Sequence, residues 1–551
     1  LSCISLFDNL HRFLPFFSQG KNPMIQLFKM LARIICVLGF LGMAFIAHAQ
    51  SNETNGTSTQ AATRMLDTQV QAMQNRNASP KKRKHAKAAQ TDNTLPTGTT
   101  PTSGPDAYIT RESTSNTISP NVVNNLPIDV DVPGQSFVSS GPYIGIPLAF
   151  SGSNLIINSP NINEDVSLLN IRKAIKQRLR LLGRGEEVDH AHLLLSGIVE
   201  AQAIYKDPGE GPTSDDIDLT DAELDGYILG PSSWTSALFA MTYDNSIGSR
   251  EGTLNSNSRV NNSRLFISKA FIVLGDFSRS PWYASMGQMY VPFGTYSTNM
   301  ISSPLTKILG RTHERALVIG FQQQGADAVY GAGYMFRGDT YTGATERISN
   351  GGINLGYRFV YGNFSGNFGG GAIMNLADSS GMQFNGQSPP FFGGFAATNE
   401  FGGEQIAHRV PALNLRGIFS IGSHIDLLVE YIGAIPSFSE SDLTYNSHGA
   451  KPAAVTFEAA YSFTAFERPS SIALGYGKTK DALALSLPQQ RYSVVFNTSW
   501  WKDTLQSIEF RHDQNYAESS TATGTGTDVT ELIQGAGKPD NTATAQFDIY
   551  F

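Results

Sequence analysis

The sequence predicts an all-β fold, a transmembrane antiparallel β-barrel of about sixteen strands. Three observations carry this prediction. Apolar and polar residues alternate with period two from Leu193 onward, the intervals between the alternating segments are short and long in turn, and the last segment is an aromatic strand, Gln546-Phe547-Asp548-Ile549-Tyr550-Phe551. Period two places successive side chains on opposite faces of a strand, so each such segment has one face against something apolar. Composition agrees: charged residues are 16 %, aromatics 10 %, and there are 53 glycines, which suits many turns and amphipathic strands better than a soluble enzyme. A slightly negative mean hydropathy argues against a polytopic helical membrane protein. It is compatible with a barrel, in which only every second strand residue meets lipid.

The N-terminal part reads as an export segment. Residues 1–23 are expected to be an over-extended reading frame, with Met24 or Met30 as the start. Lys29 and Arg33 then form a basic region, Ile34 to Ile46 an apolar run of 13 residues, and Ala47-His48-Ala49 a small-residue cleavage site. The apolar run is shorter than the ~20 helical residues that span a bilayer. Residues 1–49 are therefore expected to be a cleaved signal peptide. Both cysteines, Cys3 and Cys36, precede that point, so the mature chain is expected to have no disulfide, zinc thiolate or cysteine nucleophile. Cleavage removes four positive charges (Arg12, Lys21, Lys29, Arg33) and one negative (Asp8), taking the net charge from −7 to −10. Nucleic acid is not an expected partner of so acidic an exported chain.

Residues 50–140 read as a low-complexity periplasmic extension, mostly disordered, with a short helix near 64–76 where Met65, Leu66, Val70 and Met73 recur at helical spacing. The run Lys81-Lys82-Arg83-Lys84 reads as a solvated linker. Residues 141–192 form a second periplasmic segment with a helix over 164–182. Asn163 is its expected N-cap, Glu164 and Asp165 favour the positive helix N-terminus, and Gly183 and Gly185 end it. This helix either plugs or braces the barrel, or lies at the membrane surface.

The barrel is expected over 193–551. Sixteen segments alternate, near 193–205, 217–229, 233–243, 263–274, 282–290, 313–321, 326–336, 351–360, 363–374, 408–420, 424–432, 453–463, 470–476, 490–500, 504–512 and 542–551. Every second interval is long, as in outer-membrane barrels with tight periplasmic turns and long external loops. An even strand count leaves both barrel ends in the periplasm. The aromatic last strand is the kind of end that the barrel assembly machinery engages, which makes that machinery and the outer-membrane lipid bilayer of a Gram-negative bacterium the expected partners.

Several stretches of text carry a family resemblance. They are Ser153-Asn154-Leu155-Ile156-Ile157-Asn158-Ser159-Pro160, Asn163-Glu164-Asp165 leading to Leu168-Leu169, Leu195 to Ala203, Gly287-Gln288-Met289-Tyr290-Val291-Pro292-Phe293-Gly294, Ser303-Pro304-Leu305-Thr306 and the terminal strand. From about Gly141 to Phe551 the chain resembles the LbtU-type siderophore porin family. The resemblance implies an outer-membrane barrel with a periplasmic N-terminal extension, no globular plug domain, and a ferric siderophore as candidate solute.

No constellation of catalytic residues stands out, and no cofactor or metal is expected. His190 and His192 form an H-x-H read as interfacial polar residues. The polar alternation predicts a wet lumen lined by Glu200, Gln202, Asp221, Glu223, Asp225, Gln288, Arg358, Arg416, Glu430 and Glu458, with Glu509 a further member. Inward orientation follows from the cost of a charge against lipid, ~2–4 kcal/mol for Arg or Lys at mid-depth. Two long loops hold the candidate ligand contacts: Phe293, Tyr296 and Arg311 with Lys307 in 291–312, and Phe391, Phe392 and Phe395 in 375–407. These aromatics either clasp a compact chelate, fold inward as a constriction, or pack the loops. Trp282, Tyr290, Trp500 and Trp501 fit interfacial girdles. The leading expectation is an uptake channel for a ferric siderophore. The alternatives are a general or anion-selective porin and a surface structural or adhesion barrel.

Overall fold

A computed structural model describes residues 163–181, 192–244 and 264–550, apart from 231, 326, 344–346, 384–391, 393, 396–403, 423, 502–503 and 525–531. The expected signal peptide, the extension through residue 140, the helix near 64–76, His190, Phe391 and Phe551 lie outside the described residues.

Sixteen antiparallel strands close into one barrel, each joined to its sequence neighbour. They are β1 (His192–Asp207), β2 (Ser214–Leu229), β3 (Thr235–Asp244), β4 (Arg264–Gly275), β5 (Trp282–Tyr290), β6 (His313–Gln322), β7 (Ala328–Phe336), β8 (Asn350–Tyr361), β9 (Phe364–Ile373), β10 (Ala412–Ile421), β11 (Ile425–Ala434), β12 (Ala453–Ala465), β13 (Arg468–Lys480), β14 (Gln490–Thr498), β15 (Thr504–Gln514) and β16 (Pro539–Tyr550). Each of the sixteen expected segments holds one of these strands. The barrel closes where β1 meets β16, in register from Ile198 opposite Tyr550 to Asp207 opposite Asn541. Closure leaves no unpaired sheet edge.

The two faces of the wall differ as period two demands. On β13, Ile472 and Leu474 face outward and stay exposed, Leu474 at 61 %, while Ser471 and Ala473 between them are buried. Leu413 and Leu415 on β10, Ile353 and Leu355 on β8, and Ile272 and Leu274 on β4 repeat the outward rows. Neighbouring strands bring these rows side by side, making an apolar surface far larger than the few hundred Å² that a water-soluble monomer exposes. That surface belongs in a bilayer, so the strands span a membrane. All four tryptophans, Trp234, Trp282, Trp500 and Trp501, are exposed at the short-turn end, the position of an interfacial girdle. Tyr290 sits at the opposite end, its ring under the Arg311 guanidinium at 4.9 Å.

The short turns use left-handed backbone. Phe466 (φ 52°) and Glu467 (φ 63°) form the two-residue link between β12 and β13, the geometry that matches strand twist. The long loops are more ordered than their composition suggests. Residues 443–445, 448–449, 521–524 and 533–534 pair into a four-stranded sheet, and Thr340–Tyr341 pairs in parallel with Glu404–Gln405. Phe392, Phe395, Phe438, Leu443 and Tyr516 are buried among them, with Phe392 edge-on to Phe395 at 5.1 Å and Phe395 stacked on Phe438 at 5.7 Å. Asp378 ties three segments together: it accepts from the Thr340 N–H (2.8 Å) and hydroxyl (2.6 Å) and from the Asn350 amide (2.7 Å).

Helix α1 (Glu164–Leu181) precedes the barrel. Asn163 starts it, but through its backbone: its carbonyl accepts the Ser167 N–H at 3.1 Å, and its φ of 63° is one that asparagine tolerates. The side-chain cap on the first turn is Asp165, which accepts the Val166 N–H at 2.8 Å. Leu168 and Leu169 are buried in the same apolar cluster as Tyr227, Phe277 and Tyr283 of the barrel and its turns, so α1 docks inside the wall and does not lie on the membrane surface.

Candidate functional site: a loop across the lumen

Residues 291–312 leave β5, cross the lumen and return to β6. Their sequence has few charges of its own, so the far wall supplies the anchors. Glu430 on β11 accepts the Thr295 and Tyr296 N–H groups, both at 2.8 Å, and the Asn414 amide at 2.9 Å. Glu458 on β12 accepts the Thr298 hydroxyl and the Asn299 N–H, the latter at 2.8 Å. Glu509 on β15 accepts the Ser302 N–H at 2.9 Å and hydroxyl at 2.5 Å. All three carboxylates are buried. Arg491 donates to the Ser303 carbonyl (3.0 Å) and Asn497 to the Asn299 carbonyl (3.2 Å). Buried N–H and hydroxyl groups with a charged acceptor form the stronger class of hydrogen bond. The loop is therefore held at several depths along its path, from β11 round to β15.

Glycines in the wall make room for it. An ideal Cβ at Gly475 would sit 2.9 Å from the Met300 methyl and one at Gly477 2.7 Å from Leu305. Within the loop, helix α2 (Leu305–Gly310) buries Leu305 and Leu309. Gly381, in the long loop between β9 and β10, lies so close that a Cβ there would overlap the Ile308 carbonyl.

α2 carries the loop's charge. Lys307 is half-buried and Arg311 follows four residues later, one helical turn on. Burial, with Arg311 beside it, pushes the Lys307 amine down to about 7, against the upward pull of Glu200 and Asp221 on the barrel wall. Those acids belong to a polar seam where the barrel closes. Glu200 accepts from the Thr220 hydroxyl (2.5 Å) and the Gln202 amide (2.9 Å), and Gln202 also donates to Gln546 (2.7 Å). Gln546 and Tyr550 donate to Asp548, at 3.0 and 3.2 Å. The lumen at this depth thus has a basic loop on one side and an acidic wall of β1, β2 and β16 on the other.

The structure places the other sequence-selected residues as follows. Glu223 and Asp225 share the inward face of β2 with Asp221, Tyr227 and Leu229. Arg416 faces inward, donating to Asn354 (2.5 Å), Asn414 (3.1 Å) and the Tyr330 hydroxyl (3.1 Å). Arg358 donates to the Gly325 carbonyl in a short turn (3.3 Å). Gln288 requires a correction. On β5, Tyr283, Ser285 and Met289 are buried while Trp282 and Met286 are exposed, which puts Gln288 on the outward face, where it donates to the Ile267 and Ser268 carbonyls near the rim. A residue that close to the rim meets headgroups, where a polar side chain costs little. The loop aromatics need one too. Phe293 and Tyr296 are wholly buried and Phe392 and Phe395 nearly so, so their rings pack the loops and present no open face. Lys269 on β4 and Asp548 were not selected from the sequence. Their signal was present, since each is a charge set among apolar or neutral neighbours of its strand.

Among the described residues no group of three or more His, Cys, Asp or Glu is arranged to hold a metal ion. None of the described helices is long and apolar enough to cross a membrane.

A closed sixteen-stranded barrel with an apolar exterior and a loop fastened across its polar interior defines a porin-like membrane protein. The chain belongs to the UPF0422 protein family. It is 38 % identical over 419 residues to the UPF0422 protein of Coxiella burnetii, covering 76 % of this chain and 84 % of that one. It is 38 % identical over 423 residues to the UPF0422 protein lpl2888 of Legionella pneumophila, covering 75 % and 76 %. No family model matches. Among solved structures, the outer membrane channel DcaP of Acinetobacter baumannii aligns with a TM-score of 0.41 at 12 % identity, over 66 % of this chain and 97 % of that one. An anion-selective porin from Comamonas acidovorans aligns with a TM-score of 0.40 at 10 % identity, over 66 % and 100 %.

Proposed function

We propose that the protein is a porin-like channel of the outer membrane, through which compact hydrophilic solutes diffuse without chemistry. The single observation that supports this reading most is the loop 291–312, held across the lumen by Glu430, Glu458 and Glu509. A barrel that only anchors an external partner has no use for three buried carboxylates spent on setting an internal aperture. In this reading the short turns and the residues before α1 face the periplasm, residues 1–49 direct export, and the last strand is the one engaged by the barrel assembly machinery.

The finer proposal, uptake of a ferric siderophore, rests on the resemblance described above. A general porin is the second reading, and the burial of Phe293, Tyr296, Phe392 and Phe395 favours it, since these rings are not offered to a chelate. Two measurements separate the readings. In planar bilayers the purified protein is expected to give stepwise conductance; its absence would remove the channel reading. Uptake of radiolabelled ferric siderophores is expected to fall in a deletion strain, and unchanged uptake for every siderophore tried would leave the general porin.

A further inference from the structure

Helix α1 enters the barrel from the short-turn end with its first turn deepest. Arg172 marks the mouth, where it donates to the Thr235 (2.7 Å) and Ser232 (2.6 Å) carbonyls of the β2–β3 turn. Lys173 donates to Gln324 in the β6–β7 turn at 2.6 Å. One turn further in, the Tyr227 hydroxyl donates to the Leu168 carbonyl at 3.0 Å. Deeper again, Asp165 accepts from the Ser285 hydroxyl at 2.7 Å. The tip is held by Lys269, buried at mid-strand of β4, whose ammonium lies 3.0 Å from Glu164 of the helix and 3.0 Å from Glu223 of β2. From Arg172 to Glu164 the helix penetrates ~12 Å at 1.5 Å per residue.

We propose that α1 is a resident plug that narrows the lumen from the short-turn end, and that the Glu164–Lys269–Glu223 cluster is the latch that holds it. The inference rests on the channel reading above. Three features support a plug over a mere brace. The contacts continue inward from the rim along the lumen, through Leu168 and Asp165 to Glu164. The bond at the greatest depth is an ion pair with no solvent access, on a strand whose other inward residues, Phe271 and Val273, are apolar. The tip is also poorly suited to a permanent core, because Asp225 lies buried beside Glu164 and Glu223, so three carboxylates share one ammonium. Removing Lys269 takes away the cation shared by Glu164 of the helix and Glu223 of the wall, so the helix tip loses the ion pair that holds it.

The test uses the full chain in planar bilayers. Lys269→Met is expected to raise mean conductance about twofold, because a helix ~10–12 Å across fills a large part of a sixteen-stranded lumen already narrowed by a loop. A second variant adds a covalent latch. Asp165→Cys with Ser285→Cys, introduced beside Lys269→Met, replaces side chains already in contact, and oxidation is expected to return the conductance to the parent level, with a reductant raising it again. Wild-type steps that respond to neither variant overturn the plug and leave the channel reading standing. A protein that conducts in none of these forms overturns both.

Discussion

Replacing Glu430, Glu458 and Glu509 together by glutamine is expected to release the loop 291–312 from the far wall and raise single-channel conductance several-fold. Each carboxylate uses both oxygens as acceptors: Glu430 takes the Thr295 N–H and Asn414 amide on one and the Tyr296 N–H on the other. A glutamine must turn its NH₂ toward one of those donors. A hydrogen bond to a charged group contributes ~1.5–3 kcal/mol, and a buried donor left unpaired costs a comparable amount. Three such losses remove the carboxylate anchors that fasten the stretch from Thr295 to Ser302 to the far wall. Liposome-swelling rates with sugars of increasing size measure the aperture, and the variant is expected to admit sugars that the parent excludes. Identical size limits would show that the loop does not set the aperture.

Leu474→Arg is expected to cost ~2–4 kcal/mol of barrel stability, because the substituted residue faces lipid at the middle of β13. Gln288→Arg, outward on β5 but beside the rim, is expected to cost no more than ~1 kcal/mol, since the penalty decays toward the interface. Reversible urea unfolding from lipid vesicles gives both values. Equal small effects would contradict the membrane-embedded exterior. A large effect at Gln288 alone would contradict the strand's assigned orientation.

The barrel was legible in the sequence because strand, lipid face and turn each leave a local mark. Period two in Val455 to Phe463 or Tyr492 to Trp500 depends on residues two positions apart, and the short–long intervals need no knowledge of packing. Inward carboxylates were legible for the same reason: Glu430 and Glu458 interrupt apolar strands, and a charge there has nowhere else to point. Their work was not legible, because their partners lie 124 to 160 positions away in a loop with no periodicity. Gln288 was misplaced because the text of β5, Trp-Tyr-Ala-Ser-Met-Gly-Gln-Met-Tyr, has large apolar residues at both parities and gives no clean alternation. Whether the aromatics of 291–312 and 375–407 clasp a solute, narrow the lumen or pack the loops was not legible, because these loops have no periodicity. Here the loops pack on one another, and a ring such as Phe395 finds Phe438 across two insertions. Helix α1 showed its periodicity and its acidic first turn, but the choice between membrane surface and lumen turns on Lys269, more than a hundred residues downstream.

The most direct test of a loop that narrows a conducting lumen is thiol modification at one residue of α2. Lys307→Cys is to be recorded as single channels before and after a positively charged methanethiosulfonate reagent, with the parent chain as control and mass spectrometry to confirm labelling. The structure predicts a stepwise fall in current on modification, absent in the parent. Complete labelling with no change in current would contradict it.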